Sequence, residues 1–201
     1  MTITVVVVSD GRYHYLERCL ETLDLLTGSI VRRVLVVDGE QIPPVVSGWE
    51  TYAHGQRIGL AATVRHAWAL VDTDYLFHIE EDFTIDRPVD LDNLARHLQA
   101  DPYLAQICLL RQPWSPEEHA AGGILDLDAD AYTRTGDLWL HRKCFSLNPC
   151  LVPHSIYSRG WPAGNEAEQT SRLVAVGYRF AYLDGRAVTH IGERRSAGWK
   201  L

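Results

Sequence analysis

Residues 75–82 read Tyr75-Leu76-Phe77-His78-Ile79-Glu80-Glu81-Asp82. A run of aromatic and branched apolar residues, of strand length and strand composition, ends abruptly in three carboxylates. The run predicts a strand, and its end predicts acid clustered where the sheet meets solvent. In an open α/β sheet, ligands bind outside the carboxyl ends of the strands. Glu80 and Asp82 are two residues apart, so in an extended chain they point to the same side. Two carboxylates on one side repel unless a cation or a shared proton relieves them. A divalent metal with oxygen ligands is the natural relief. On this segment alone, a solvated acidic turn after a strand is the alternative.

Two earlier runs behave in the same way. Thr2 to Val8 is continuously β-branched, as expected of a strand buried on both faces. It breaks at Ser9-Asp10-Gly11-Arg12. Leu16, Cys19, Leu20, Leu23 and Leu26 then follow at the spacing of one helical face, and Gly28 ends the helix. Val34 to Val37 is a second buried strand, closed by Asp38-Gly39. Strand, helix and strand at this spacing imply a parallel βαβ unit. Asp10, Asp38 and Asp82 then share one edge of the sheet, with Asp38 at an exposed strand end. Gln41 to Gln56 reads as an irregular connection, and Leu60 to Val71 as a helix with Arg57 just before it and Arg65 within it. Asp72-Thr73-Asp74 is a literal D-x-D, but it stands at the strand's entry and reads as a turn.

The bulk numbers set limits. A chain of 201 residues is one domain and buries a core without staples. Hydrophobic residues at 46% and charged residues at 22% exclude disorder and fibres. A net charge of −7 argues against a general nucleic-acid binder. Ile3 to Val8 is too short to span a membrane and has no basic flank, so no stable membrane anchor is expected. Cys19, Cys108, Cys144 and Cys150 form no CxxC pair and read as reduced thiols of a cytoplasmic protein.

After Asp82, Leu91, Leu94, Ala95 and Leu98 mark a short helix, and Leu104 to Leu110 a strand. Arg111 to Asp137 is long, polar and interrupted by Gly and Pro. Asp126, Asp128 and Asp130 within it mimic the opening of a calcium loop. Ala131 stands where the turn glycine belongs, so a solvated loop is the preferred reading. Ser146 to Tyr157 mixes Pro with apolar residues and predicts short edge strands. Asn165 is a fair N-cap for a helix that opens at Glu166 and stops at Gly177. Tyr178–Leu183 and Ala187–Ile191 predict two short strands around an Asp184-Gly185 turn, with His190 on the second. The tail, Gly192 to Trp199, is polar.

This order of segments resembles the GT-A glycosyltransferases, especially the large inverting family, glycosyltransferase family 2, that includes cellulose synthase. TVVVVSDGRYHYLERCLETL looks like that family's first strand and helix. VLVVDG looks like its second strand, QRIGLAATVRHAWALVDTDYLFHIEEDF like its glycine-containing helix and acidic metal motif, NEAEQTSRLVAVGYRFAYL like the acceptor-side helix, and AVTH like the closing strand. The acidic motif here is Glu-Glu-Asp where the family more often has aspartates, and the base motif is Asn-Glu where it commonly reads Glu-Asp.

The resemblance implies a fold, an activity and a set of roles. The fold is a single α/β domain of GT-A type, with a mostly parallel mixed sheet flanked by helices. Residues 1–87 would form a Rossmann-like nucleotide- and metal-binding half, and residues 88–201 an acceptor half. The activity is sugar transfer, with inversion, from a nucleoside-diphosphate sugar to a hydroxyl. A UDP-sugar is the expected donor and Mn or Mg the expected metal. Asp82, Glu80 and His190 would hold the metal. Ser9, Asp10, Arg12, Asp38, Arg57, Arg65 and Glu81 would meet the donor. Glu166 would be the catalytic base, with Glu168 its competitor. Arg194 and Arg195 could close over the diphosphate, and Trp114, Trp139 and Trp161 could stack on a sugar or a base; a solvated tail and ordinary packing are the alternatives. A glycan, a small molecule, or a hydroxymethylated phage DNA base approached by Arg111, Arg134, Arg142 and Lys143 would be the acceptor. A nucleotidyltransferase-like enzyme and a non-catalytic nucleotide- or glycan-binding domain are the competing classes. The first lacks a Gly-rich basic phosphate loop here, and fold alone does not exclude the second.

Overall fold

The computed structural model describes residues 1–40, 46–111, 129–162 and 165–192. Trp114, the Asp126–Asp128 part of the acidic loop, and Arg194 and Arg195 lie outside the described residues. The core of the molecule is one ten-stranded sheet. Its first half is parallel. β1 (Ile3–Ser9) lies between β3 (Ile30–Val37) and β5 (Tyr75–Glu80), and β4 (Glu50–Ala53) flanks β3. β4 falls in the Gln41–Gln56 connection that the sequence reads as irregular. Among the described residues of that stretch only Glu50–Ala53 forms a strand, four residues too few to show a period.

The second half mixes directions. β11 (Cys150–Pro153) runs antiparallel between β5 and β8 (Leu104–Arg111). β12 (Arg179–His190) runs parallel to β8 and carries β10 (Leu138–His141), which in turn carries β9 (Thr133–Thr135). β6 (Phe83–Ile85) pairs with the end of β12, and β2 (Leu26–Thr27) with β7 (Val89–Asp90) in a separate ribbon.

Two expectations need correction. The Ser146–Tyr157 segment supplies no edge strand. β11 is central, with Cys150, Leu151 and Val152 wholly buried. Its prolines cost the ladder nothing, because Pro149 precedes the strand and offers its carbonyl to the Leu109 amide, while Pro153 ends it. Asp184-Gly185 is not a hairpin turn either. β12 passes straight through it, with its register against β8 shifting between Leu183 and Arg186. Gly185, at φ +75°, takes the backbone conformation that the irregularity needs.

Strand alternation sorts the core into two layers. Ile3, Val5 and Val7 of β1 pack with Phe77 and Ile79 of β5 beneath α1 (Tyr13–Thr22) and α3 (Leu91–Ala100). Val6, Val8 and Leu76 face the other way, against Trp68 of α2 (Leu60–Ala69), Ile156 of α4 (His154–Tyr157) and Leu173 of α5 (Glu166–Ala175). Trp161, offered as a stacking platform, is core: it is 4% exposed and its ring lies 5.4 Å from that of Trp68. Trp139 instead donates to Asp184. As the sequence predicts, Asp72 and Asp74 are turn residues, taken up by Arg32 and by the Thr2 amide.

Candidate functional site

The chain runs from β1 outward through β3 and β4 and then returns to β5 on the other side of β1. The strand order therefore reverses between β1 and β5, the place where open α/β sheets leave a crevice. Both strands end there in acid. β1 delivers Asp10 and Arg12, and β5 delivers Glu80, Glu81 and Asp82. β6 and β12 close the far side and bring His190 in. A cavity of about 470 Å³ opens beside this point, lined by Asp10, Gly11, Tyr13, Val37, Gly39, Glu40 and Arg57.

Arg12 ties the acids together. Its Nε donates to Asp10 Oδ1 at 2.8 Å and to Glu81 Oε1 at 2.9 Å, and its Nη2 donates to Asp82 Oδ2 at 2.8 Å. The Arg12 pKa rises: burial works against it, but Glu81, Asp82 and Asp10 outweigh burial. Glu81 is wholly buried and also accepts from the Asp10 amide, so it braces β1 and Arg12 from below. Burial, foremost, and Asp10 push its pKa well up.

Asp82 is in a different state. Burial would raise its pKa, but His190, with Nε2 3.3 Å from Oδ2, and Arg12 together bring it down. Asp82 is held from behind as well, since its carbonyl accepts from the Ile191 amide at 2.7 Å. Gly192 lies so close that a Cβ there would sit 2.4 Å from Asp82 Oδ2. Only glycine fits, a requirement that nothing in the polar-looking tail announces. The other oxygen, Oδ1, is buried and has no hydrogen-bond partner among the described residues.

That orphan oxygen fits a divalent cation. Asp82 and His190 offer one hard oxygen and one imidazole to it. Among the described residues no three His, Cys, Asp or Glu side chains converge. A cation held by this pair would leave positions for substrate phosphate oxygens and water, the usual way Mg²⁺ is held with phosphate substrates. Glu80 stands apart from this pair. It is half-buried and by alternation shares the face of Leu76 and His78. Burial first, then Asp82 and Glu166, push its pKa well up, which puts it within electrostatic reach of both halves of the site.

Asp38 is not at an exposed strand end. It is 1% exposed, and both its oxygens accept backbone amides, from Ile58 at 2.6 Å and Gly59 at 3.0 Å. It shapes the loop from which Arg57 reaches the Asp10 carbonyl at 3.0 Å. Ser9 hydroxyl accepts from the Gly11 amide, and its carbonyl accepts from the Asp38 amide. Arg65 points elsewhere, to the carbonyls of Trp161 and Pro162.

In the C-terminal half, Asn165 caps α5 through the amides of Ala167 and Glu168, as the sequence predicts. Glu166 opens the helix. Its Oε1 accepts from the Leu147 amide at 2.5 Å and from the Ser146 hydroxyl at 3.2 Å. The residue reaches solvent, yet protein packed around the carboxylate raises its pKa against those hydrogen bonds and Arg111. Arg111, grouped with the loop arginines in the sequence reading, ends β8 and is only 9% exposed. Arg134 is paired with Asp184, while Arg142 and Lys143 are exposed.

A search of solved structures finds the same architecture at low sequence identity. A mannosyltransferase from Pyrobaculum calidifontis in complex with GDP-Man and Mn²⁺ matches with TM-score 0.66 and 14% identity over 96% of the chain. The fold is that of the GT-A glycosyltransferases. GalNAc-T7 with UDP, GalNAc and Mn²⁺ matches with TM-score 0.67 and 11% identity over 100% of the chain. S. aureus TarS 1-349 matches with TM-score 0.59 and 11% identity over 94%. The chain spans 58%, 45% and 60% of those three, so it corresponds to about half their length. No family model matches the sequence, and no curated protein matches it. No helix among the described residues is long and apolar enough to cross a membrane.

Proposed function

We propose that the chain is a metal-dependent inverting glycosyltransferase that moves a sugar from a UDP-sugar to a hydroxyl acceptor. The observation that carries this reading is the orphan oxygen of Asp82, buried where the strand order reverses, beside His190 and an arginine-bound acid cluster. Asp82 and His190 hold the metal. Asp38 and Ser9 shape the nucleoside side of the cavity, and Arg57 and Arg12 face the diphosphate. When bound, the cation neutralises charge building on the leaving group. Glu166 takes the acceptor proton as its oxygen attacks, for which a carboxylate with a raised pKa is suited. Glu80, electrostatically linked to both, is the inner wall of the sugar site.

The acceptor is a hydroxyl of a glycan or of a hydroxymethylated DNA base. The exposed Arg142 and Lys143 stand a few residues before Leu147, which holds Glu166. They are the basic residues placed to meet an anionic acceptor there. The buried free thiols Cys19, Cys108 and Cys150 suit the cytoplasm. The reading is tested by thermal unfolding with UDP, GDP and their sugars, each with Mn²⁺ and with excess chelator. Ligands that bind the native state raise its stability. A Tm increase with UDP that vanishes in chelator is expected; an equal increase in chelator overturns the metal.

A further inference from the structure

We propose that Arg12 competes with the divalent cation for Asp82, and so makes metal binding depend on the nucleotide. This rests on the donor-site reading above and goes beyond it to how the site is loaded. One oxygen, Asp82 Oδ2, serves both Arg12 Nη2 at 2.8 Å and His190 Nε2 at 3.3 Å. A cation that takes the orphan Oδ1 and reaches His190 therefore shares the Asp82 carboxylate with a guanidinium seated on its other oxygen.

That guanidinium cannot simply leave. Its Nε is held by Asp10 Oδ1 and Glu81 Oε1, and its Nη2 also lies 2.7 Å from Glu81 Oε1. Asp10 is itself fixed, because Arg57 holds its carbonyl and its amide donates to Glu81. Of its partners only Asp82 is also a ligand proposed for the cation, and with the cation seated two positive groups face each other across that one carboxylate. Like charges at that separation oppose each other strongly in a partly buried site. A diphosphate lying against both removes the conflict, since its oxygens can ligate the cation and accept from Arg12. Metal and nucleotide then strengthen each other's binding by the same factor, as linkage requires.

The test is titration of Mn²⁺ followed by the EPR signal of the free ion, with and without UDP. The proteins compared are the wild type, Arg12→Gln, Arg12→Lys and Asp82→Asn. In Arg12→Gln without UDP, Mn²⁺ should bind about tenfold to a hundredfold more tightly, the range of one charge-assisted hydrogen bond. The enhancement by UDP should shrink correspondingly. Arg12→Lys, which keeps the charge, should stay close to wild type. If loss of the cation unfolds the protein, Arg12→Gln combined with Glu81→Gln removes the cation together with the buried carboxylate it balances, and the same tightening is expected. Unchanged or weaker Mn²⁺ binding in these variants, while Asp82→Asn abolishes it, overturns the role of Arg12 alone. Mn²⁺ binding that is indifferent to Asp82→Asn overturns the metal site and the proposal together.

Discussion

The two sides of the crevice treat their carboxylates in opposite ways. On the donor side, Asp82 faces a guanidinium and an imidazole, and its pKa falls. Around Glu166, the proposed base, an amide and a hydroxyl donate to the carboxylate of a residue that reaches solvent, and nearby protein raises its pKa. A carboxylate held ionised is a ligand; one lifted towards neutrality exchanges a proton. Environments that push two carboxylates apart in this way support the roles proposed for them. Glu80, between them, also has its pKa pushed up, by burial first and then by Asp82 and Glu166.

The contrast is broken most severely at Glu166. Glu166→Gln keeps an oxygen for the Leu147 amide but cannot take a proton. Turnover should fall about a hundredfold to ten-thousandfold, with Mn²⁺ and UDP affinity unchanged by calorimetry. Glu168→Gln should remain active: two residues on, it points about 200° away around the helix. A dead Glu168→Gln beside a working Glu166→Gln would move the base to Glu168. Next in size is Asp82→Asn, which removes the ionised ligand. UDP affinity measured with Mn²⁺ should fall at least about tenfold, the lower range for disturbed metal sites, and match the wild type measured in chelator.

The donor side was the more legible in sequence, for a physical reason. β1 is buried throughout, β3 over its last four residues and β5 over its first five, and each run stops at an acid, so both strand and edge are written locally. The C-terminal half is written in long-range contacts. β11 lies at the centre of the sheet although its flanking prolines read as an edge. β12 runs through an Asp-Gly pair because β8, β10 and β6 hold it on both sides of that pair. Nothing local tells that Gly192 must admit Asp82, that Glu81 braces Arg12, or that Ser146 and Leu147 aim Glu166. Asp38 was legible as a residue but not in its surroundings, since Ile58 and Gly59 reach it from some twenty residues away.

Asp38 therefore sharpens the comparison as a stability test. Asp38→Ala leaves two partly buried amides without their carboxylate acceptor, at a cost towards the lower end of about 1–3 kcal/mol for each. Urea unfolding should show a lowered midpoint with an unchanged slope, and UDP affinity should fall because the Arg57 loop loses its anchor. Lost affinity at full stability would mean that Asp38 meets the ligand directly and the loop holds itself.

The smallest expected effect probes the acceptor side alone. Glu166 acts only when ionised, and its folded pKa lies above the ordinary carboxylate value of 4.5. As pH falls from neutral, the transfer rate should therefore drop along a limb displaced upward from 4.5. The Ser146 hydroxyl opposes that displacement by donating to the ionised form. Ser146→Ala should move the limb to higher pH while leaving the plateau rate near wild type. The sign for stability is the reverse of that for activity. A carboxyl whose pKa rises on folding favours the folded state below its unfolded value, and that advantage is lost as pH rises through the folded value. Glu166→Gln, which has no charge to bury, should thus lose less stability than wild type between acid and neutral pH, by a margin that solvent contact keeps small. A limb unmoved by Ser146→Ala, with identical stability profiles for Glu166→Gln and wild type, would place the titrating base elsewhere and remove the contrast between the two sides.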